Sequence, residues 1–307
     1  MAVICITGGN GMIGKQLTDS FTKNGHEVII LTRRPQKDPR PLVIQMKWDI
    51  SSGFIDPEAL VRTEVIIHLA GANVAEKRWT KRRKEEILSS RTESGRLLVK
   101  ALQSNPNKVR TIISASAIGW YGPDHGKIFS EDMPHYPDFL GETCKKWEES
   151  LHPVRNMGIR LVTIRIGIVL SHEGGALREF RKPVQFGIAP ILGNGKQIIS
   201  WIHIDDLCRI FEKSMTDTNM HGIYNATAPQ PISNKDFMLT LAKSMKKFFI
   251  PIHVPAFALK IALGEMSIEV LKSCTVSSDK LQQTRFQFLY PSLEAALNQL
   301  NQPTTNN

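Results

Sequence analysis

The chain has no apolar run approaching the ~20 residues that a membrane-spanning helix needs, which excludes a helical membrane protein. Cysteine is scarce. Cys5, Cys144, Cys208 and Cys274 lie far apart and form no C-x-x-C pair, which argues against a zinc site or a disulfide framework and makes a reducing cytoplasm the expected compartment. Internal repeats are missing, and so are RNA-recognition, zinc-finger and helix-turn-helix patterns. The opening MAVICITGG has no basic region ahead of its apolar residues and reads as a first strand, not a signal peptide.

Acids are the minority among charges, 29 against 39 Lys and Arg, for a formal net charge of +10. The field of the molecule therefore favours anionic partners, nucleic acid or a phosphorylated small molecule. The densest basic run, EKRWTKRRKEE at residues 76–86, is flanked by acids on both sides and reads as the solvated start of a helix. A small molecule is thus the expected partner and nucleic acid is not; oligomeric state stays open, a homodimer included.

What the sequence does contain is a rhythm. Short Val- and Ile-rich runs alternate with helical segments: AVICIT at 2–7, EVIILT at 27–32, EVIIHLA at 64–70, RTIISAS at 110–116 and RLVTIRIGIVL at 160–170. Nearly continuous apolar strands are buried on both faces, so the expected fold is α/β, a doubly wound parallel sheet of Rossmann type. Helical patterns cover 12–23, 80–103 and 139–155. After residue 171 Gly/Pro-rich pieces loosen the pattern, which predicts a nucleotide-binding part at 1–170, with further sheet elements at about 198–230, a smaller lobe at 171–300, and a disordered tail at 301–307.

The stretch ICITGGNGMIG places Gly8, Gly11 and Gly14 after the first strand and at the start of a helix. Gly8 permits a tight turn, Gly11 lets backbone approach a pyrophosphate, and Gly14 allows helix and strand to pack closely, while the helix N-terminus offers N–H groups to the anion. At the end of the second strand, where an NAD-selecting protein usually carries an acid for the ribose hydroxyls, the chain reads LTRRP. Arg33 and Arg34 would grip a 2′-phosphate, so NADP is the expected cofactor.

TGGNGMIG, WDI at 48–50, HLAG at 68–71, RIGIVL at 165–170 and SWIHIDDL at 200–207 resemble the extended short-chain dehydrogenase/reductase superfamily. More narrowly, HLAGANV, RWTKRRKEEILSSR, GGALREF, PILGNGKQIISWIHIDD, VPAFALKIALGE and RFQFLYPSLEAAL resemble epimerase-family proteins with a C-terminal lobe of unknown function. The resemblance implies that Thr7, Gly8, Gly11, Met12 and Ile13 cradle the pyrophosphate and that Thr32, Arg33 and Arg34 hold the adenosine phosphate. It puts Asp49 and Ile50 by the adenine, Leu69, Ala70 and Gly71 beneath the ribose and nicotinamide, and Gly167 to Val169 over the nicotinamide. Arg91 stands where extended members carry an asparagine, with Glu86 a further candidate on the same helix.

In that superfamily a Ser or Thr polarises the substrate oxygen, a Tyr moves the proton, and a Lys four residues on lowers the tyrosine's pKa and binds the ribose. A phenol with an ordinary pKa near ~10 needs such a cation to act at neutral pH. Ser116 aligns with the hydroxyl. The other two positions hold Leu140 and Cys144, and none of Tyr121, Tyr136, Tyr224 and Tyr290 has a lysine four residues later. Tyr121, on the loop leaving the Ser116 strand, is the substitute candidate for the proton. Cys144 reads as a small buried hydrophobe, and His203, Asp205 and Asp206 as residues that join the lobes. Two functions follow: an NADP-dependent oxidoreductase or epimerase acting on a small anionic, nucleotide-sugar-like substrate without the usual relay, or a non-catalytic NADPH-binding module that senses redox state.

Overall fold

The computed structural model describes residues 1–302; residues 303–307, most of the expected disordered tail, lie outside the described residues. Its strands are β1 Val3–Thr7, β2 Glu27–Thr32, β3 Val43–Asp49, β4 Phe54–Ile55, β5 Val65–His68, β6 Thr111–Ala117, β7 Arg160–Ile166, β8 Ile168–Leu170, β9 Ile188–Leu192, β10 Ile198–Ile199, β11 Trp201–His203, β12 Gly222–Ala226, β13 Ile232–Ser233 and β14 Ile250–Val254. The helices are α1 Met12–Lys23, α2 Pro57–Arg62, α3 Lys81–Ser104, α4 Phe139–Leu151, α5 Gly175–Gln185, α6 Ile204–Thr216, α7 Asn234–Ser244, α8 Ala256–Leu263, α9 Ser267–Leu271, α10 Asp279–Gln283 and α11 Leu293–Leu300.

Eight strands form the central sheet in the order β12-β7-β6-β5-β1-β2-β3-β4. All neighbours run parallel except the β3/β4 pair. Alternation along each strand explains the continuous apolar runs. Ile4, Ile6, Val28 and Ile30 face a core closed by Leu17 and Phe21 of α1 and Leu207, Ile210 and Phe211 of α6. Cys5, Ile29, Ile66 and Ile112 face the opposite core, closed by Leu60 of α2, Leu97, Leu98 and Leu102 of α3, and Leu151 of α4. Each fully buried aliphatic side chain contributes roughly 1.5–3 kcal/mol, so both faces must be covered.

The strand order reverses between β1 and β5, which opens a crevice at their carboxyl ends, the position where such sheets bind ligands. At Gly167 the chain leaves the sheet: its N–H donates to Ala226 O at 3.0 Å and that of Ile168 to Ser200 O at 2.9 Å. A Cβ at Gly167 would lie 2.9 Å from Ser200 O, so no side chain fits at the crossing. Beyond it, α5, α7 and α11 pack around Leu177, Trp201, Phe237, Leu241 and Leu297 in a third core.

Candidate functional site

The crevice begins with the turn between β1 and α1. Gly8 adopts φ +72, and a Cβ there would lie 3.0 Å from the Leu69 carbonyl. A Cβ at Gly14 would lie 2.5 Å from both Gly8 O and Gly9 Cα, closer than any real side chain approaches backbone. Gly11 caps α1 with extended backbone and no side-chain hydrogen bond to the helix, so the N–H groups of the first turn stay open for an anion. Met12 lies 3.3 Å from where a Cβ on Gly175 would be, and Ile13 packs on the core. The cradle fits a pyrophosphate: three positions without side chains surround unpartnered donors.

Thr32, Arg33 and Arg34 follow at the end of β2. Asn10 Nδ2 donates to Thr32 Oγ1 at 3.3 Å, linking the glycine turn to this strand end. Both arginines are exposed, and among the described residues neither pairs with an acid. Asp49 closes its own turn, accepting from Ser51 N at 3.0 Å and Ser51 Oγ at 2.7 Å; Ile50 packs partly buried against the second core.

A buried polar spine holds β1, β5 and α3 in register beneath the cradle. Leu69 N and Ala70 N donate to Thr7 Oγ1 at 3.1 and 3.2 Å. The Thr7 hydroxyl is therefore left to donate to His68 Nδ1 at 2.8 Å. His68 Nε2 must then carry its proton and donates to Ser94 Oγ at 3.3 Å, and Ser94 donates to Arg91 O at 2.9 Å. Burial, with the charge of Arg91 second, pushes the imidazole down to about 3, so it is neutral. Thr7 thus acts by setting the Leu69–Ala70 backbone. Gly71 follows directly under the guanidinium of Arg91, whose Cζ would lie 3.0 Å from a Cβ. Glu86 is exposed on α3 with its carboxylate 2.7 Å from Arg83 Nη1.

At the far wall, α4 brings Leu140 and Cys144 to the turn at 118–120. A Cβ on Gly119 would lie 3.2 Å from Leu140 Cβ and 3.8 Å from Cys144 Sγ. Burial pushes the Cys144 thiol up to about 12, with Glu148 adding to the shift, so it is no thiolate nucleophile at neutral pH. One turn further along the same face stands Glu148, which had no candidate role in the sequence. Ser116 Oγ donates to Glu148 Oε1 at 2.7 Å, and Arg165 closes on the carboxylate with Nε to Oε1 at 2.9 Å and Nη2 to Oε2 at 3.1 Å. The guanidinium lies 3.6 Å over the Trp120 ring. Its Nη1 donates to Tyr121 Oη at 3.0 Å, and Tyr121 donates toward Asn225 Oδ1 at 2.9 Å.

Ser116 is 2% exposed and Tyr121 1%, and each is held in this closed network. Burial pushes the Tyr121 phenol up to about 12. A phenol held protonated, already donating and accepting, has no free hydrogen-bonding capacity to offer a substrate. The sequence signal available for Glu148 was its spacing, four after Cys144 and eight after Leu140, on one helical stripe.

The C-terminal segment forms the remaining wall. Asp124 Oδ2 accepts from Ser273 Oγ at 2.8 Å, Thr275 N at 3.0 Å and Thr275 Oγ1 at 2.6 Å. Burial raises that carboxyl, but these bonds and one from Gly126 N outweigh it and hold it below its usual range. Arg78 donates to Ala262 O at 3.0 Å and to Ile261 O, Arg83 reaches Asn73 O and Glu76, and Lys84 pairs with Glu265. Three cations of the basic run thus brace loops and α8. His203 caps α6, accepting from Asp205 N, and its Nε2 lies 2.9 Å from Gln299 Oε1; Asp206 accepts from Leu289 N and Tyr290 N at 2.8 and 2.9 Å. These residues join segments, as the sequence led one to expect. Gly167 and Val169 stand at the crossing out of the sheet, with Val169 paired to Ile202 of β11.

Two family models match the chain. The family described as NAD dependent epimerase/dehydratase matches residues 4–226, and a domain of unknown function, DUF1731, matches residues 254–300. Epimerase family protein SSP1921 of Staphylococcus saprophyticus is 37% identical over 298 residues, 96% of this chain and 98% of that protein. The crystal structure of human epimerase family protein SDR39U1 with NADPH aligns with a TM-score of 0.87 at 28% identity, covering 97% of this chain and 99% of that one. The nucleoside-diphosphate sugar epimerase from Corynebacterium glutamicum aligns with a TM-score of 0.78 at 30% identity, covering 98% of this chain and 58% of that one. Among the described residues no helix is long and apolar enough to cross a membrane.

Proposed function

Because this chain belongs to the NAD dependent epimerase/dehydratase family of extended short-chain dehydrogenase/reductases, we propose that it binds NADP(H) across the ends of β1, β2 and β5. There it moves hydride between that cofactor and a small anionic substrate, nucleotide-sugar-like in class. The carrying observation is the pair Arg33 and Arg34, exposed and free of acidic partners among the described residues, at the strand end beside a side-chain-free turn. Two guanidinium groups suit a 2′-phosphate and offer nothing particular to a ribose diol. When bound, the nicotinamide supplies the hydride chemistry. The chain's own residues would do the positioning: open α1 N–H groups and Met12 for the pyrophosphate, the Thr7-set backbone of Leu69 and Ala70 beneath the ribose, and Gly167 to Val169 over the ring. The nucleotide-binding part is residues 1–170 with 198–230, and residues 171–300 supply the substrate lobe.

A second reading, an NADPH-binding module without turnover, draws support from one observation. The relay face carries Leu140 and Cys144, and the hydroxyls of Ser116 and Tyr121 are held in a closed network. Calorimetric titration with NADPH, NADH and NADP⁺, joined to a metabolite screen following NADPH oxidation, separates the two. The proposal expects NADPH to bind about 10-fold or more tighter than NADH, a preference erased in R33A/R34A, and turnover with some anionic metabolite. Equal affinity for NADPH and NADH overturns the cofactor assignment. Preference for NADPH over NADP⁺ with no turnover across the screen establishes the second reading instead.

A further inference from the structure

A single apolar side chain left in water is unexceptional, but a contiguous exposed patch marks a surface that something covers. The pair β9 and β14 carries such a patch. In their parallel register Ile188 stands beside Ile250, Pro190 beside Ile252 and Leu192 beside Val254, so these six side chains share one face. The other face of β9 is buried through Ala189 and Ile191, whereas β14 projects from the body with every residue but Val254 exposed. Two phenylalanines lead into the face: Phe186 at the end of α5 and Phe248, each two residues before a leading isoleucine and each 84% exposed. After β14 the chain runs into α8, where Phe257 and Ile261, one turn apart, are also exposed.

The charge around this patch is of one sign. Residues 180–204 and 237–264, which hold both strands and α8, contain no Asp or Glu. Arg181 and Lys182 are engaged elsewhere, but Lys196, Lys243, Lys246, Lys247 and Lys260 are exposed and, among the described residues, form no ion pair. Lys246 and Lys247 immediately precede Phe248. Two copies laid face to face would set lysine against lysine with no acid in either segment to offset them. The open edge suits no added strand either. Ile250 N donates to Gly187 O and Val254 O accepts from Gly193 N, so residues 250, 252 and 254 bond to β9, and Pro251 falls on the edge without an N–H. A protein partner makes about one hydrogen bond per 100–200 Å² of interface, and no side chain on this face can form one. A lipid surface asks for none: it takes up apolar side chains at the headgroup boundary and draws cations to its phosphates.

We propose that the outer face of β9 and β14 docks on an anionic lipid bilayer. Phe186, Phe248 and the isoleucines enter the headgroup boundary, and Lys246 and Lys247 meet the lipid phosphates while their stems lie along the apolar face. The contact is peripheral and needs no spanning helix. It stands apart from the cofactor reading, since the crevice at the ends of β1, β2 and β5 contributes no residue to it.

The test is co-sedimentation of the full chain with vesicles of equal parts phosphatidylglycerol and phosphatidylcholine, set against vesicles of phosphatidylcholine alone. The protein should go down with the first and stay in solution with the second. F186S/F248S is expected to weaken binding about 100-fold, from roughly tenfold for each phenylalanine taken out of water. K246Q/K247Q should weaken it about 25-fold, from roughly fivefold for each cation near an anionic surface. All four side chains are exposed, so both variants should keep the wild-type unfolding midpoint. Wild-type protein that stays in solution with both vesicles overturns the inference, and so does equal binding to the two. Binding unchanged in F186S/F248S also overturns it, the mark of a protein of net charge +10 held by charge alone. Ultracentrifugation without lipid identifies the other occupants: self-association abolished by F186S/F248S, with no vesicle binding, gives the face to a second copy. Capture of an acidic protein that depends on the same two residues, again with no vesicle binding, gives it to a protein, and either result overturns the inference.

Discussion

Replacing Glu148 by Gln removes one negative charge and keeps shape. The carboxylate receives three bonds, from Ser116 Oγ at 2.7 Å and from Arg165 at 2.9 and 3.1 Å. The side chains of Arg165 and Glu148 are 1% and 6% exposed, so solvent cannot replace the lost charge. Breaking a buried ion pair by removing one partner costs about 3–5 kcal/mol, because the survivor is left uncompensated. Glutamine retains one acceptor, though its amide nitrogen must face a guanidinium donor, which places E148Q at the lower end, about 3 kcal/mol. Against a total stability of roughly 5–15 kcal/mol this is a large fraction. Urea unfolding at pH 7 should show the midpoint falling by about 1 M at a slope near 3 kcal/mol/M, with the slope unchanged. The double variant E148M/R165M should recover most of the loss, since apolar residues of similar volume often replace a buried pair at little cost. A loss below about 1 kcal/mol for E148Q, or a double variant worse than the sum of its singles, would refute the account of this network.

S116A and Y121F should leave NADPH affinity within about twofold, and Y121F should cost roughly 1–3 kcal/mol of stability by leaving Asn225 Oδ1 without a partner and Arg165 Nη1 with Glu131 O alone; a 100-fold fall in turnover at unchanged stability would instead restore Tyr121 as the proton donor. His68 titrates at about 3 in the folded chain against ~6.5 unfolded, so the unfolded chain takes up the extra proton as pH falls. Its contribution is therefore fully present above pH ~6.5 and is lost toward lower pH at about 1.4 kcal/mol per unit. Urea midpoints of wild type and H68Q between pH 7 and 5 should converge by about 2 kcal/mol, and parallel curves would show that His68 is not held neutral.

The doubly wound sheet was legible because its inner strands are apolar on both faces: EVIILT coincides with β2 and the helical pattern at 12–23 with α1. RLVTIRIGIVL reads as one strand and is two, since Gly167 turns the chain out of the sheet where no side chain fits. β3 escaped notice, and β12 was expected only as an unplaced sheet element within 198–230. Each lies toward an edge, where polar residues such as Gln45, Lys47 and Asn225 interrupt the apolar signal. The glycine turn declares its purpose locally, through three residues within seven positions. Glu148, Arg165 and His68 could not declare theirs. A charge on an amphipathic helix or in a strand reads as solvated until the fold shows its partner, 17 residues away for Glu148 and Arg165. The burial of Ser116 and Tyr121 was hidden for the converse reason: a hydroxyl at or just past a strand end looks available until the groups that hold it come into view.

The clasp between Asp124 and residues 273–275 bears on how such proteins can be recombined. A loop rooted in the nucleotide-binding sheet is clasped by main chain and hydroxyls delivered by the far end of the polypeptide. Grafting the terminal portion of a cousin onto this sheet would leave that carboxylate with only its local bond from Gly126 N unless matching hydroxyls travelled with the graft. An exchange of that terminal portion must therefore carry Ser273 and Thr275 with it.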